Sequence, residues 1–255
     1  MVSNKFAIHT NTLSSVYMDS SIKSKQTSQL LFGELLIIKS VRNNFYYIEN
    51  YHDGHCGWVY KEVFAFLPAI EFERLKDRPV ARICYPLASV IDVEDKSSLH
   101  LPAGSCLHDY EPQSGSFKIA KRVYQVAKES VSYLDHGQLD DIDRVTSSLM
   151  NAPFQEGGKS ILGIDASGFV QLVFAMCGFL LPRGSQQQSK IGVSVYSLEQ
   201  LRIGDVVFTH QEGIILKTYI YLGHDRLVSM EEKIIDIELS EIQNCTSSLL
   251  IRRLV

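Results

Sequence analysis

Little in this sequence could staple, span or carry polyanions. Only five cysteines occur in 255 residues (Cys56, Cys84, Cys106, Cys177, Cys245), odd in number and widely spaced, so no disulfide framework is implied. There is no lysine- or arginine-rich run, and 25 basic against 29 acidic residues leave a net charge of −4. Nothing therefore marks a nucleic-acid or lipid-headgroup footprint. No stretch approaches the ~18–20 apolar residues of a membrane span. The first fifteen residues hold one lysine, with no signal-like apolar core and no cleavage box, so a cytoplasmic protein is expected. Low-complexity segments are absent too. What is present is ordinary: 45% hydrophobic and 21% charged residues, enough for a sizeable core. The length suggests one or two domains, or three if some are small barrels.

The most informative stretch is Gly163-Ile164-Asp165-Ala166-Ser167-Gly168-Phe169-Val170-Gln171. A turn passes through an acid and a serine into the apolar run Phe169, Val170, Leu172, Val173, Phe174, Met176, the pattern of a loop entering a buried helix. The first turn of such a helix has free N–H groups and a positive dipole end, which would stabilise a thiolate placed there. Cysteine peptidases put their nucleophile at such a point. The segment resembles the nucleophile motif of the NlpC/P60 cell-wall peptidases, which normally reads Asp-Cys-Ser-Gly. Here the cysteine position holds Ala166, and a methyl group cannot attack a carbonyl.

Other motifs extend the resemblance. Asn151 to Ser160 is similar to the family's Pro-Tyr-x-Trp-Gly-Gly-x-Ser entry, with Glu156 in place of the tryptophan. Leu181-Pro182-Arg183 with Gln187 or Gln188 looks like the Leu-Pro-Arg…Gln stretch, and Gly204-Asp205-Val206-Val207-Phe208 like Gly-Asp-Leu-x-Phe. Lys217-Thr218-Tyr219-Ile220-Tyr221-Leu222-Gly223 is similar to His-Val-Gly-Ile-Tyr-Leu-Gly, which puts Lys217 at the base position and Ser229, twelve residues on, at the third polar position. All three catalytic positions have departed while the framework remains, the pattern of a pseudoenzyme. Strand alternation sets Lys217, Tyr219 and Tyr221 on one face. A tyrosine at 219, where the family has glycine, is expected to fill cleft volume or cover its floor.

Spacing leaves little room for relocated chemistry. Cys177 lies eleven residues after Ala166, about 16 Å along a helix axis, and reads as a core thiol. His224 is seven residues past Lys217, about 23 Å along a strand, too far to replace the base. His210 falls in the turn before that strand and reads as a solvated loop histidine. His52-Asp53-Gly54-His55-Cys56 straddles a tight hairpin with no second ligand pair, an exposed turn rather than a metal site.

The N-terminal half alternates short β-type runs with turns. Leu30-Leu31-Phe32-Gly33-Glu34 leads into Leu35 to Ile38, and Phe45 to Ile48 pairs with Gly57-Trp58-Val59 across the Asp53-Gly54 turn. Trp58 is expected in the core, with Tyr46 and Tyr47 pointing opposite ways. This looks like a bacterial SH3-like barrel over residues 1–68. A second, weaker set over 78–126 is similar to the second barrel of two-barrel NlpC/P60 proteins, and 140–255 to the papain-like domain, opened by a helix from Asp140 to Asn151. The expected fold is α+β: two small N-terminal SH3-like β barrels, then a papain-like NlpC/P60 domain.

Two function classes follow. One is an inactive NlpC/P60 homologue that binds a murein peptide such as L-Ala-γ-D-Glu, or a protein partner. The other is an active hydrolase of γ-D-glutamyl-L-diamino acid peptides using non-standard residues. In relatives that recycle murein peptides, the acid before the cysteine and an acid of the first barrel help to hold the free amine. The resemblance thus implies Asp165, Ser167, Arg183, Glu34 and Tyr219 as candidate ligand contacts, with no cofactor and no metal. Against that stands a structural reading: Asp165 caps the helix and Arg183 pairs with a nearby carboxylate. Both readings stay open at this point, as do the partner and the oligomeric state.

Overall fold

Period-two alternation builds the N-terminal half, in a computed structural model that describes residues 5–61, 63–133, 137–243 and 248–255. Seven strands come first: β1 (Lys5–His9), β2 (Leu13–Tyr17), β3 (Gln26–Leu31), β4 (Leu35–Arg42), β5 (Phe45–Asn50), β6 (Cys56–Tyr60) and β7 (Phe64–Leu67). They form one antiparallel sheet in the order β3-β2-β6-β5-β4-β1-β7. The expected hairpin pairs Tyr46 with Val59, Tyr47 with Trp58 and Ile48 with Gly57. Trp58 is not a core residue. Gly57 and Val59 alternate onto the buried face, leaving the indole half-buried against Tyr47 at 5.3 Å between rings.

Helix α1 (Ala69–Lys76) leads to a second β unit: β8 (Ala81–Ile83), β9 (Leu87–Asp92), β10 (Ser98–Pro102), β11 (Cys106–Leu107), β12 (Ser116–Ile119), β13 (Arg122–Val126) and β14 (Val131–Ser132). These make a four-stranded sheet, β10-β9-β13-β12, and a three-stranded one, β11-β8-β14. Along β9 the residues Ala88, Val90 and Asp92 point inward while Leu87, Ser89 and Ile91 point out. The two β units dock through the Gly33 turn. Gly33 has φ of +80°, and a Cβ there would collide with the Cys106 carbonyl, so only glycine fits. His108 Nε2 donates to the Gly33 carbonyl at 2.7 Å, and Cys106 N donates to the Phe32 carbonyl at 2.8 Å.

The C-terminal unit holds α2 (Ile142–Ser148), the short pair β15 (Lys159–Ser160) and β16 (Gly163–Ile164), then α3 (Ala166–Met176) and α4 (Ser185–Gln188). A six-stranded antiparallel sheet follows from β17 (Val193–Val195), β18 (Val206–Gln211), β19 (Ile214–Gly223), β20 (Arg226–Met230), β21 (Ile234–Glu238) and β22 (Ser248–Arg253), with α5 (Leu239–Gln243) between the last two. Its order is β17-β22-β18-β19-β20-β21. Alternation splits the sheet between two cores. Phe208, Ile220 and Val228 pack under Phe169, Val173 and Phe174 of α3. Val207, Tyr219 and Leu227 pack on the other side with Leu239 and Ile242 of α5. Each fully buried side chain of this size contributes about 1.5–3 kcal/mol, so α3 is held chiefly by its apolar stripe. The architecture is α+β, with small N-terminal β units ahead of the helix-on-sheet unit. No helix among the described residues is long and apolar enough to cross a membrane.

Candidate functional site

The start of α3 is a closed polar knot. Asp165 has an extended backbone (φ −99°, ψ 172°) and caps the helix, accepting from Gly168 N at 2.7 Å. A cap of this kind is worth about 1 kcal/mol. The same carboxylate accepts from Gly157 N at 2.9 Å, from the Ser167 hydroxyl at 3.0 Å, and from two Arg183 nitrogens at 2.9 and 2.7 Å. Those five bonds use its roughly four lone-pair sites completely. Arg183, only 4% exposed, also donates to Ser167 Oγ, the Gly158 carbonyl and Ser28 Oγ of β3. Asp165, Ser167 and Arg183 therefore come together, each spent on its neighbours. Ala166, half-buried, rests its methyl against the α3 core, so the positive end of the helix faces no thiol.

Glu34 has a partner from the C-terminal unit. Lys159 Nζ lies 2.5 Å from Glu34 Oε1 and 3.8 Å from Asp53 Oδ2, with all three side chains about 5–6% exposed. Glu34 also accepts from Leu31 N at 2.9 Å, and Gln171 of α3 donates to Asp53 at 3.0 Å. The expected exposed turn at His52-Asp53 is thus overturned. Asp53 turns inward because a lysine and an amide from the C-terminal unit meet it there. The adjoining cavity is about 30 Å³, room for one water rather than a peptide.

Lys217, Tyr219 and Ser229 share a face, but not the one that α3 covers. Tyr219 pairs with Ser229 across β19 and β20 and packs in the α5 core, whereas Ile220 and Val228 face α3. Lys217 is half-exposed and bonds Glu231 at 2.8 Å; the buried Ser229 hydroxyl donates to the Thr218 carbonyl at 3.0 Å. Lys217 pairs with Thr209 and lines the groove on the α5 side, while the β18–β19 register shift just before it returns Ile215 to the α3 core that Ala166 adjoins. The residue turned toward α3 is Thr218, whose buried Oγ1 has no hydrogen-bond partner. On the far face, Lys217 and Tyr219 line a groove of about 460 Å³ together with Ile235, Asp236, Glu241 and Ile242.

Among the described residues, no cysteine lies on the first turn of α3. Burial pushes the Cys177 thiol up to about 11, and burial likewise raises Cys84 and Cys106. Cys56 is exposed on β6, and Cys245 lies outside the described residues. His210, expected in a solvated loop, is on β18 with Nδ1 buried. No cluster of metal-ligating side chains occurs among the described residues. Sequence reasoning missed Lys159, Asp53, Gln171 and Thr218. The available signal for Lys159 was a charge immediately after Gly157-Gly158, a tight segment that must be buried. Of the two candidate glutamines, Gln188 is fully buried and donates to the Ser167 and Pro182 carbonyls.

Residues 151–252 match the model of the NlpC/P60 family. The chain is 23% identical to the γ-D-glutamyl-L-lysine dipeptidyl-peptidase of Bacillus subtilis over 252 residues, covering 86% of this chain and 81% of that protein. It is 38% identical over 76 residues to the murein DD-endopeptidase MepS/murein LD-carboxypeptidase of Escherichia coli K12, which spans 29% of this chain and 40% of the relative. Among solved structures, an NlpC/P60 family protein from Bacillus cereus superposes with a TM-score of 0.84 at 17% identity, over 98% of this chain and 99% of that one.

Proposed function

An NlpC/P60 domain occupies residues 151–252 of this chain, and from that premise we propose that the protein binds peptidoglycan-type peptides without hydrolysing them. The observation that carries this reading is Ala166. Covalent catalysis needs a heteroatom at the start of α3, with a base in hydrogen-bond reach. Here a methyl group sits there, and the residues at the base and third positions, Lys217 and Ser229, face the other side of the sheet.

The free-amine mode, through Asp165 or Glu34, is not the one this geometry favours, because Arg183 and Lys159 already occupy those carboxylates. The groove beside Lys217 is the better candidate. Its volume falls in the usual ligand range of about 300–1,000 Å³. Leu216, Ile235 and Ile237 offer apolar surface, and Glu241 suits an amine. The half-exposed Lys217, whose pairing with Glu231 is at the surface and not buried like those of Asp165 and Glu34, can turn to a guest carboxylate. A γ-D-glutamyl-L-lysine peptide, the substrate named for the B. subtilis relative, carries both charges.

Calorimetric titration with L-Ala-γ-D-Glu-L-Lys tests the reading. Micromolar-to-millimolar binding that Lys217→Glu weakens about tenfold supports it. No binding, or binding indifferent to Lys217, moves the function to a protein partner.

A further inference from the structure

The 51–55 turn, between β5 and β6, lies where the three units meet. The small cavity beside it is lined by Glu34, His52 and Asp53 of the first β unit, by Arg82 and Gly104 of the second, and by Lys159 and Gln171 of the C-terminal unit. Polar contacts tie the turn to that last unit: Asp53 accepts from Gln171 Nε2 at 3.0 Å and lies 3.8 Å from Lys159 Nζ. Tyr51 gives no apolar tie there. It packs with the core shared by the two β units, and its amide donates to the Leu35 carbonyl at 2.9 Å.

His52 is the odd member of this cluster. Its ring meets Tyr51 edge-on at 5.8 Å, and its Nδ1 is buried with no hydrogen-bond partner. A neutral imidazole is tolerated there, but an imidazolium meets Arg82 and Lys159 across the cavity and His108 behind it. The two carboxylates within reach are committed. Glu34 is held by Lys159 and the Leu31 amide, and Asp53 by Gln171, Lys159 and the His55 amide. Gln171 Oε1 is also without a partner; it can accept one N–H but offsets no charge. Burial first, then these cations, hold His52 down to about 3 against the pull of Asp53. His55, at the far end of the turn, shares Nε2 with Thr27 Oγ1 at 3.0 Å. It is lowered too, chiefly by burial, with Asp53 and Asp165 opposing and Arg183 and Lys159 assisting.

We propose that the 51–55 turn is a proton-operated latch: when His52 takes up a proton, the turn swings out of the junction and releases Lys159 and Gln171 while the three units stay folded. Swung into water, the ring regains its ordinary value of 6.5. Because the closed state depresses that value, closure is fully favoured above pH 6.5 and loses favour as pH falls from 6.5 toward 3. His9 and His108 lie outside the turn, each bonded to a backbone carbonyl of the β3–β4 region, Leu31 and Gly33. The latch is separate from the groove beside Lys217 and does not depend on it.

Hydrogen exchange of the full-length protein, expressed as protection factors at pH 7.5 and 5.0, tests the latch above the ordinary carboxylate range. One proton per opening predicts about a thirtyfold loss of protection at the Tyr51 amide between the two, and a shifted Gln171 side-chain amide resonance. The amides of Ala7 and Leu36, in the paired β1 and β4, should keep their protection. His52→Gln should remove that thirtyfold loss and leave only the share of His55. Nitrogen NMR of the wild-type ring supplies a reading that needs no variant: His52 should gain its proton only as the turn opens. An unchanged loss in His52→Gln, an equal loss in β1 and β4, or an imidazolium formed with the turn still closed overturns the proposal.

Discussion

Replacing Lys159 by methionine should cost this protein more than any exposed substitution, because it strands Glu34 in the junction. The pair is 2.5 Å apart with both side chains about 6% exposed, and joins positions 125 residues apart in the chain. Asp53 would suffer less, since Gln171 and the His55 amide still donate to it at 3.0 and 2.9 Å. Removing one member of a buried ion pair typically costs about 3–5 kcal/mol. For a chain of this size that corresponds to a fall of roughly 6–20 °C in melting temperature. The double variant Glu34→Gln/Lys159→Met removes both charges and retains an acceptor for the Leu31 amide, so it should recover to within about 1 kcal/mol of wild type. Urea unfolding followed by circular dichroism, with all four corners of the cycle, measures the coupling. A Lys159→Met loss below ~1 kcal/mol, or a double variant no better than the single, would refute the claim that this pair fastens the first β unit to the C-terminal one.

Other outcomes follow from the same geometry. His9, fully buried, donates from Nδ1 to the Leu31 carbonyl and accepts at Nε2 from Ser14; burial holds it down to about 4, as it does His108. Both resist protonation when folded, so their stability contribution is complete above the unfolded value of 6.5 and is lost as pH falls from 6.5 toward 4, by up to about 3 kcal/mol each; urea midpoints at pH 7.5, 5.5 and 4.5 should show that decline, and a flat profile would contradict it. Arg183→Lys keeps the charge but forfeits the two-pronged bond to Asp165 and the reach to Ser28, so a loss of about 2–3 kcal/mol is expected in chemical denaturation, and a neutral result would show the knot to be dispensable. Ala166→Cys combined with Lys217→His should release no product from murein peptides by mass spectrometry, because the introduced groups lie on opposite faces of the sheet; turnover would mean that the strand faces are misassigned.

The sequence made much of this legible where short-range rules decide. The β5–β6 hairpin appeared from turn chemistry and alternation, and α3 from a cap followed by an unbroken apolar stripe. The capping role of Asp165 and its pairing with Arg183 stood among the readings the residues allowed. Long-range encounters were not legible. Nothing local tells Lys159 that Glu34 awaits it, or turns Asp53 inward, since both depend on where a separate unit docks. Parity was the subtler loss. Alternation correctly grouped Lys217, Tyr219 and Tyr221, but which side of a two-faced sheet meets α3 is settled by how whole cores pack, and both sides of β19 are apolar enough to serve.

We propose that this NlpC/P60 domain does not cleave peptides, and incubating the wild-type protein with L-Ala-γ-D-Glu-L-Lys tests that most directly. Mass spectrometry after prolonged incubation at high protein concentration should find the peptide intact, with or without the Ala166→Cys change. Release of free lysine in proportion to wild-type protein, persisting through repurification, would contradict the account.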